Sequence, residues 1–196
     1  MYAITGIAGQ VGGAVARALL AEGARVRAVA RDASKAAPWV ERGCELAIAD
    51  MSDASALARA FKGTDGVFVL IPPIFDPSPD FAEADGVIGA VCDALAEARP
   101  ARIVCLSTVG AQATEPNLLT QLTMMERALG ALGLPVAFIR AAWFGENAAW
   151  DVASAREGAI QSFLQPPDRA ILMVATADIG VTSAAPPPRA ASRSHP

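Results

Sequence analysis

Thr5-Gly6-Ile7-Ala8-Gly9-Gln10-Val11-Gly12 decides how this chain is read. Before it stands Tyr2-Ala3-Ile4, an apolar run long enough for one short strand. After it Val11, Val15, Ala18 and Leu19 recur at i, i+4, i+7 and i+8, the spacing of one helix face. Gly23 then ends that helix as the residue just past its last turn. Strand, glycine-rich turn and helix in that order form the phosphate-binding opening of a dinucleotide fold. Gly6 permits the tight turn, Gly9 lets the backbone approach a pyrophosphate, and Gly12 lets helix and strand pack closely. The helix N-terminus offers unpaired N–H groups and a partial positive charge to the phosphates. Taken alone the three glycines also suit a turn that binds nothing; their place between strand and helix gives them weight.

Working outward, Val26 to Ala30 reads as a second strand ending in Arg31-Asp32. A carboxylate there usually holds the adenosine ribose of NAD, whereas an arginine accommodates the 2′-phosphate of NADP. Arg31 supplies a planar fork for phosphate, and Lys35 a second positive charge one turn on. The plainer reading makes these surface charges, with Asp32 as a helix cap; Asp32 also leaves NAD open. Cys44 to Ala49 reads as a third strand, followed by Asp50, placed to accept from the adenine amino group, and Met51 against the ring. Ser52 or Asp53 caps the helix that runs to Phe61. Val67 to Ile71 is a central parallel strand broken by Pro72-Pro73, which cannot extend a ladder. The candidate coenzyme contacts are therefore Thr5, Gly6, Ala8, Gly9, Gln10, Val11, Gly12, Arg31, Lys35, Asp50, Met51, Ile71 and Pro72.

The second half continues the alternation. A helix is expected over Asp80–Ala98, a strand over Ile103–Leu106, and a helix capped by Asn117 with Leu118, Leu122, Met125, Leu129 and Leu132 inward. A sixth strand spans Val136–Arg140, and a last short one Ile171–Ala175. Strands alternating with helices imply a doubly wound parallel α/β sheet, Rossmann-like in type. Trp143 and Phe144 follow the sixth strand and are expected to wall a site for nicotinamide or a planar substrate, though packing under a loop serves equally well.

Composition bounds the rest. Hydrophobic residues make up 53% and charged residues 18% of the 196, enough to bury a two-faced sheet. A net charge of −4 without a basic stripe argues against direct nucleic-acid contact. The opening residues carry no signal-peptide pattern and no uncharged apolar run reaches spanning length, so no membrane association is expected. Cys44, Cys92 and Cys105 are odd in number and scattered, read as reduced thiols of a cytoplasmic protein. The only histidine is His195, so neither a histidine base nor a histidine zinc site is expected in the folded part. After Val181 the chain holds only Ala, Pro, Ser, Thr, basic residues and that histidine, with Pro186 to Pro188 against a helix. The expectation is one domain over 1–180 and a disordered tail over 181–196. So abrupt a change reads as a truncation by a shifted frame; a genuine flexible tail is the alternative.

By its motifs the chain resembles the NmrA-like group of atypical short-chain dehydrogenases/reductases. The residues are Thr5-Gly6-x-x-Gly9-x-x-Gly12, Val29-Ala30-Arg31, Asp50, Ser107-Thr108-Val109-Gly110-Ala111 and Glu126-x-x-Leu129. Ile139-Arg140, Phe144-x-Glu146-Asn147 and Ala177-Asp178-Ile179-Gly180 complete the set. The resemblance implies a coenzyme fold for NAD(P), usually NADP(H), in either a reductase or a sensor that reads coenzyme without turning it over. It also implies a Tyr-x-x-x-Lys pair, the tyrosine donating a proton and the lysine lowering its pKa. Those positions hold Leu118 and Leu122, and Tyr2 is the only tyrosine.

Three readings follow. The first is an NADPH-dependent oxidoreductase of quinones or similar electrophiles, which need little acid catalysis, with Ser107 or Thr108 as the remaining catalytic candidates. The second is a non-catalytic NADP(H) sensor with a protein partner, and the third a truncated, inactive fragment.

Overall fold

Side chains alternate across the strands. Ala3, Val67, Val69, Ile103 and Cys105 enter one apolar cluster, while their neighbours Ile4, Phe68 and Val104 enter a second. Strands apolar on both sides must be covered on both faces. The computed structural model, which describes residues 1–162, 164–166 and 168–185, has that architecture. Six parallel strands, β1 (Tyr2–Thr5), β2 (Val26–Ala30), β3 (Glu45–Ile48), β4 (Gly66–Val69), β5 (Arg102–Thr108) and β6 (Val136–Ala141), stand in the order β3-β2-β1-β4-β5-β6. Ile4 lies opposite Ala28 on one side and Phe68 on the other. The order reverses between β1 and β4, which opens a crevice at their carboxyl ends.

Helices α1 (Gln10–Ala21), α2 (Ala33–Val40) and α7 (Thr176–Ala184) pack on one face. On the other lie α3 (Ala54–Phe61), α4 (Ala82–Ala98) and α5 (Thr120–Gly130). The second face holds the larger buried side chains, among them Leu57, Phe61, Leu95 and Met125. Each contributes on the order of 1.5–3 kcal/mol by leaving water. Asp32 caps α2 by accepting from Ser34 N, and Asp53, not Ser52, caps α3 by accepting from Ala56 N. After β6 come a two-stranded sheet of β7 (Trp143–Phe144) and β8 (Met173–Val174), a 3-10 turn over Gly145–Asp151, and the short α6 (Val152–Arg156).

Several expectations need correction. The expected strand Ile171–Ala175 shortens to β8, because only Trp143 and Phe144 are extended opposite it. Asn117 does not cap α5: its Oδ1 accepts from Leu119 N at 2.8 Å within a turn, and the helix begins at Thr120. Leu118 therefore lies ahead of the helix, exposed, rather than on its inward stripe. The domain does not end at Gly180 either. Helix α7 runs on through Ser183 and Ala184, both buried, and Arg102 donates to the carbonyls of both residues. A guanidinium on the last free carbonyls of a helix satisfies them and complements its dipole. Residues 186–196, with Pro186 to Pro188 and His195, lie outside the described residues. No described helix is long and apolar enough to cross a membrane.

Candidate functional site

The crevice begins at the glycine loop. Gly6 takes φ +62°, Gly9 N donates to Gly6 O at 2.9 Å, and Gly9 becomes the N-cap of α1. Because that cap is glycine, no side chain closes the helix end, and no acidic residue stands in its first turn. Gly13 N is the first to bond inside the helix, to Gly9 O, so the N–H groups of Gln10, Val11 and Gly12 stay open to an anion. Gly12 is forced: a Cβ there would lie 2.3 Å from Gly6 O. The helix packs so closely on the loop that no side chain fits between them at Gly12.

From this loop a cavity of about 350 Å³ extends along the ends of β2 and β3. Gly6, Ala8, Gly9, Arg31, Lys35, Asp50, Met51 and Pro72 line it, so eight of the expected coenzyme contacts meet in one place. Arg31 is exposed and has no hydrogen-bond or ion-pair partner among the described residues. Asp50 Oδ1 accepts from Ser52 N and Oγ, which, with Arg31 nearby, holds its carboxyl below the usual range. Asp32 spends Oδ1 in the same way on Ser34.

Other expected contacts stand elsewhere. Thr5 is fully buried; its Oγ1 accepts from Leu70 N at 2.8 Å and donates toward Phe68 O at 3.2 Å, pinning β1 to the end of β4. Val11 is buried in the core, and neither it nor Gly12 nor exposed Gln10 lines the cavity. Ile71 belongs to the next cavity along.

That second cavity, about 270 Å³, shares Leu70 and Pro73 with the first, so the two form one cleft across the β1–β4 crevice. Its wall is apolar apart from Ser107, Thr108 and Gln121. Leu118 and Leu122 both face it. Phe144 lines it as expected, but Trp143 does not and is 38% exposed. Tyr2 lies at the opposite end of the sheet, against Gly66 and 5.7 Å from the Arg102 guanidinium.

Ser107 is held from behind. Its Oγ donates to Glu126 Oε1 at 2.5 Å, and Arg140 grips the same carboxylate through Nε at 2.9 Å and Nη2 at 2.6 Å. The Arg140 guanidinium is the main reason the Glu126 carboxyl titrates below the usual range; burial opposes it, and the Ser107 bond adds to it. Residue spacing did not disclose this trio. Ser107 and Arg140 meet because they are register partners on β5 and β6, and Glu126 reaches both from α5. Glu146 is similarly structural, its Oε1 accepting from Thr176 N and Oγ1 at the start of α7.

A family model described as NAD(P)H-binding matches residues 6–161. The chain belongs to the NAD(P)H-binding family. The match opens on Gly6 of the glycine loop and includes both cavities. Among curated relatives, this NAD(P)H-binding chain is 28% identical over 169 residues to cinnamoyl-CoA reductase 2 of Arabidopsis thaliana, covering 80% of this chain and 51% of that one. It is 34% identical over 125 residues to cinnamoyl-CoA reductase 1 of Oryza sativa subsp. japonica, covering 60% and 37%. The chain thus spans about half the length of the first and less of the second. Among solved structures, the triphenylmethane reductase of Citrobacter sp. superposes with a TM-score of 0.80 at 22% identity, covering 93% of this chain and 63% of that one. The NADPH-dependent quinone oxidoreductase of Escherichia coli superposes at 0.79 and 24%, covering 94% and 63%. At those identities the likeness establishes the fold.

Proposed function

We propose that this chain holds NADP(H) along the first cavity and, as a reductase, acts on a planar electrophile, a quinone foremost, seated in the second. The carrying observation is the continuous cleft itself: a glycine cradle with an unpaired Arg31 at one end and an almost wholly apolar pocket at the other. The N–H groups at the start of α1 bind the pyrophosphate, Asp50 accepts from the adenine, and Arg31 with Lys35 holds the 2′-phosphate. Bound there, the coenzyme supplies a hydride. The apolar wall of Leu70, Ile71, Leu122 and Phe144 orients the acceptor and excludes water. Quinones suit the pocket because they accept a hydride with little acid catalysis, and Leu118 and Leu122 offer no proton. The quinone oxidoreductase and the triphenylmethane reductase that share the fold support the same substrate class. The unpaired cysteines fit a reducing, cytoplasmic setting.

The test is anaerobic oxidation of NADPH with a panel of quinones and simple ketones. Quinones should be reduced and ketones should lag by about 10²–10⁴-fold, the usual contribution of a general acid. Robust ketone reduction that survives Ser107→Ala would place the chemistry elsewhere. A second reading, a sensor that binds coenzyme without turnover, is favoured by one observation: Ser107 directs its proton to Glu126 and not to the cavity. Tight NADPH binding with no quinone reduction would select it.

A further inference from the structure

The second cavity has three polar side chains, and each has already committed its protons. Glu126, ionised under the bidentate Arg140, has no proton of its own, so the short bond to Ser107 is made with the serine proton. Thr108 Oγ1 donates to Val109 O at 3.1 Å. Gln121 Nε2 donates to Ile74 O at 3.2 Å and Leu118 O at 3.0 Å. The amide cannot be turned over, since its oxygen would then face two carbonyl oxygens. Gln121 Oε1 is left buried without a partner. The side chains around this cavity therefore hold no uncommitted donor, and Gln121 Oε1, being buried, is not offered to the cavity as an acceptor.

Resting on the reading of this cavity as the substrate pocket, we infer that it selects planar, apolar rings bearing a neutral hydroxyl, which donates to Ser107 Oγ. Glu126 is the positioning residue that makes Ser107 an acceptor. A bare carbonyl at the same place meets a lone pair and gains nothing from it. Among quinone-like electrophiles, those that also carry an un-ionised hydroxyl are thus preferred over unsubstituted ones. The preference is worth one neutral hydrogen bond in a desolvated pocket, about five- to tenfold in affinity.

A redox-silent pair of matched size tests this: 1-naphthol, which donates, and 1-tetralone, which only accepts. Both are titrated calorimetrically into the chain saturated with NADP⁺. The wild type should bind 1-naphthol about five- to tenfold more tightly. Ser107→Ala should bring the ratio close to one while leaving the Glu126–Arg140 pair in place. Glu126→Ala should shrink the ratio by a different route, because the freed serine proton raises affinity for 1-tetralone; a purely structural Glu126 would weaken both ligands alike. Should Glu126→Ala not fold, Ser107→Ala carries the test. Equal affinities in the wild type, no binding of either compound, or a preference that survives Ser107→Ala would overturn the inference. Quinone-dependent NADPH oxidation, measured separately, decides the reductase reading: a naphthol preference without turnover defeats that reading and leaves this one standing.

Discussion

On the proposed reading, coenzyme choice is decided at Arg31. It stands at the end of β2, lines the first cavity and has no partner among the described residues, while neighbouring Asp32 spends an oxygen on capping α2. A guanidinium already paired with a carboxylate would be a poor phosphate ligand; this one is available. Arg31→Ala should therefore weaken NADPH by about 1.5–3 kcal/mol and hardly affect NADH, measured by titration of both. Equal wild-type affinity for the two coenzymes would refute the assignment. That Arg31, Lys35 and Asp50 would gather at one edge of the sheet was legible in the sequence, because each closely follows a strand whose end is marked by polar residues. The role of the Thr5 side chain was not legible. A threonine before a glycine loop looks like a ligand, and only the pairing of β1 with β4 shows that its hydroxyl is spent on Leu70. Ser107, Glu126 and Arg140 each stand in a recognisable motif. Their union depends on ladder register, which no linear spacing displays.

Elements were legible wherever a run of large apolar residues had clear borders. Strand β2 falls over Val26–Ala30 as read from the sequence, and α1 lies where Gly9 and Gly23 bracket it. Helix α5 began late because the leucine spacing runs smoothly through a turn: Leu118 keeps the period but faces the cavity, not the core. Helix α4 allows a sharper test of local preference. Gly89 lies within it with no atom within 4 Å of where a Cβ would stand, so nothing opposes a better helix former. Gly89→Ala should stabilise the fold by about 0.5–1 kcal/mol in urea unfolding, by lowering the entropy of the unfolded chain. A loss of stability there would mean that this face of α4 is covered.

At the scale of the molecule, α7 seals the face that α1 leaves open. Gly180 lies so close to α1 that a Cβ would stand 2.7 Å from the carbonyl carbon and oxygen of Ala14. Two opposing terms act on Gly180→Ala. Helix propensity favours it by about 1 kcal/mol, but backbone atoms cannot yield as a flexible side chain would. Overpacking of this kind typically costs about 1–3 kcal/mol and should win, so the same alanine that helps at Gly89 should lower the urea midpoint here. A neutral or stabilising outcome would show that α7 is free to shift. The same closeness explains why the sequence under-reported this element. Its buried residues are Thr176, Ile179, Gly180, Ser183 and Ala184, mostly small or polar, and a search for large apolar periodicity passes over them.

Trp39 offers an optical consequence of the packing around α1. It is 8% exposed, seated against Gly13 and flanked by guanidinium groups of Arg17 and Arg42 at 6.0 and 5.3 Å. The other two indoles, Trp143 and Trp150, are open to solvent at 38% and 65%. Iodide or acrylamide in the buffer should extinguish that outer pair first and leave emission from a single shielded fluorophore on the α1 side of the sheet. Reduced nicotinamide absorbs where indole emits, so the protein carries its own donor for energy transfer to the coenzyme, with no label attached.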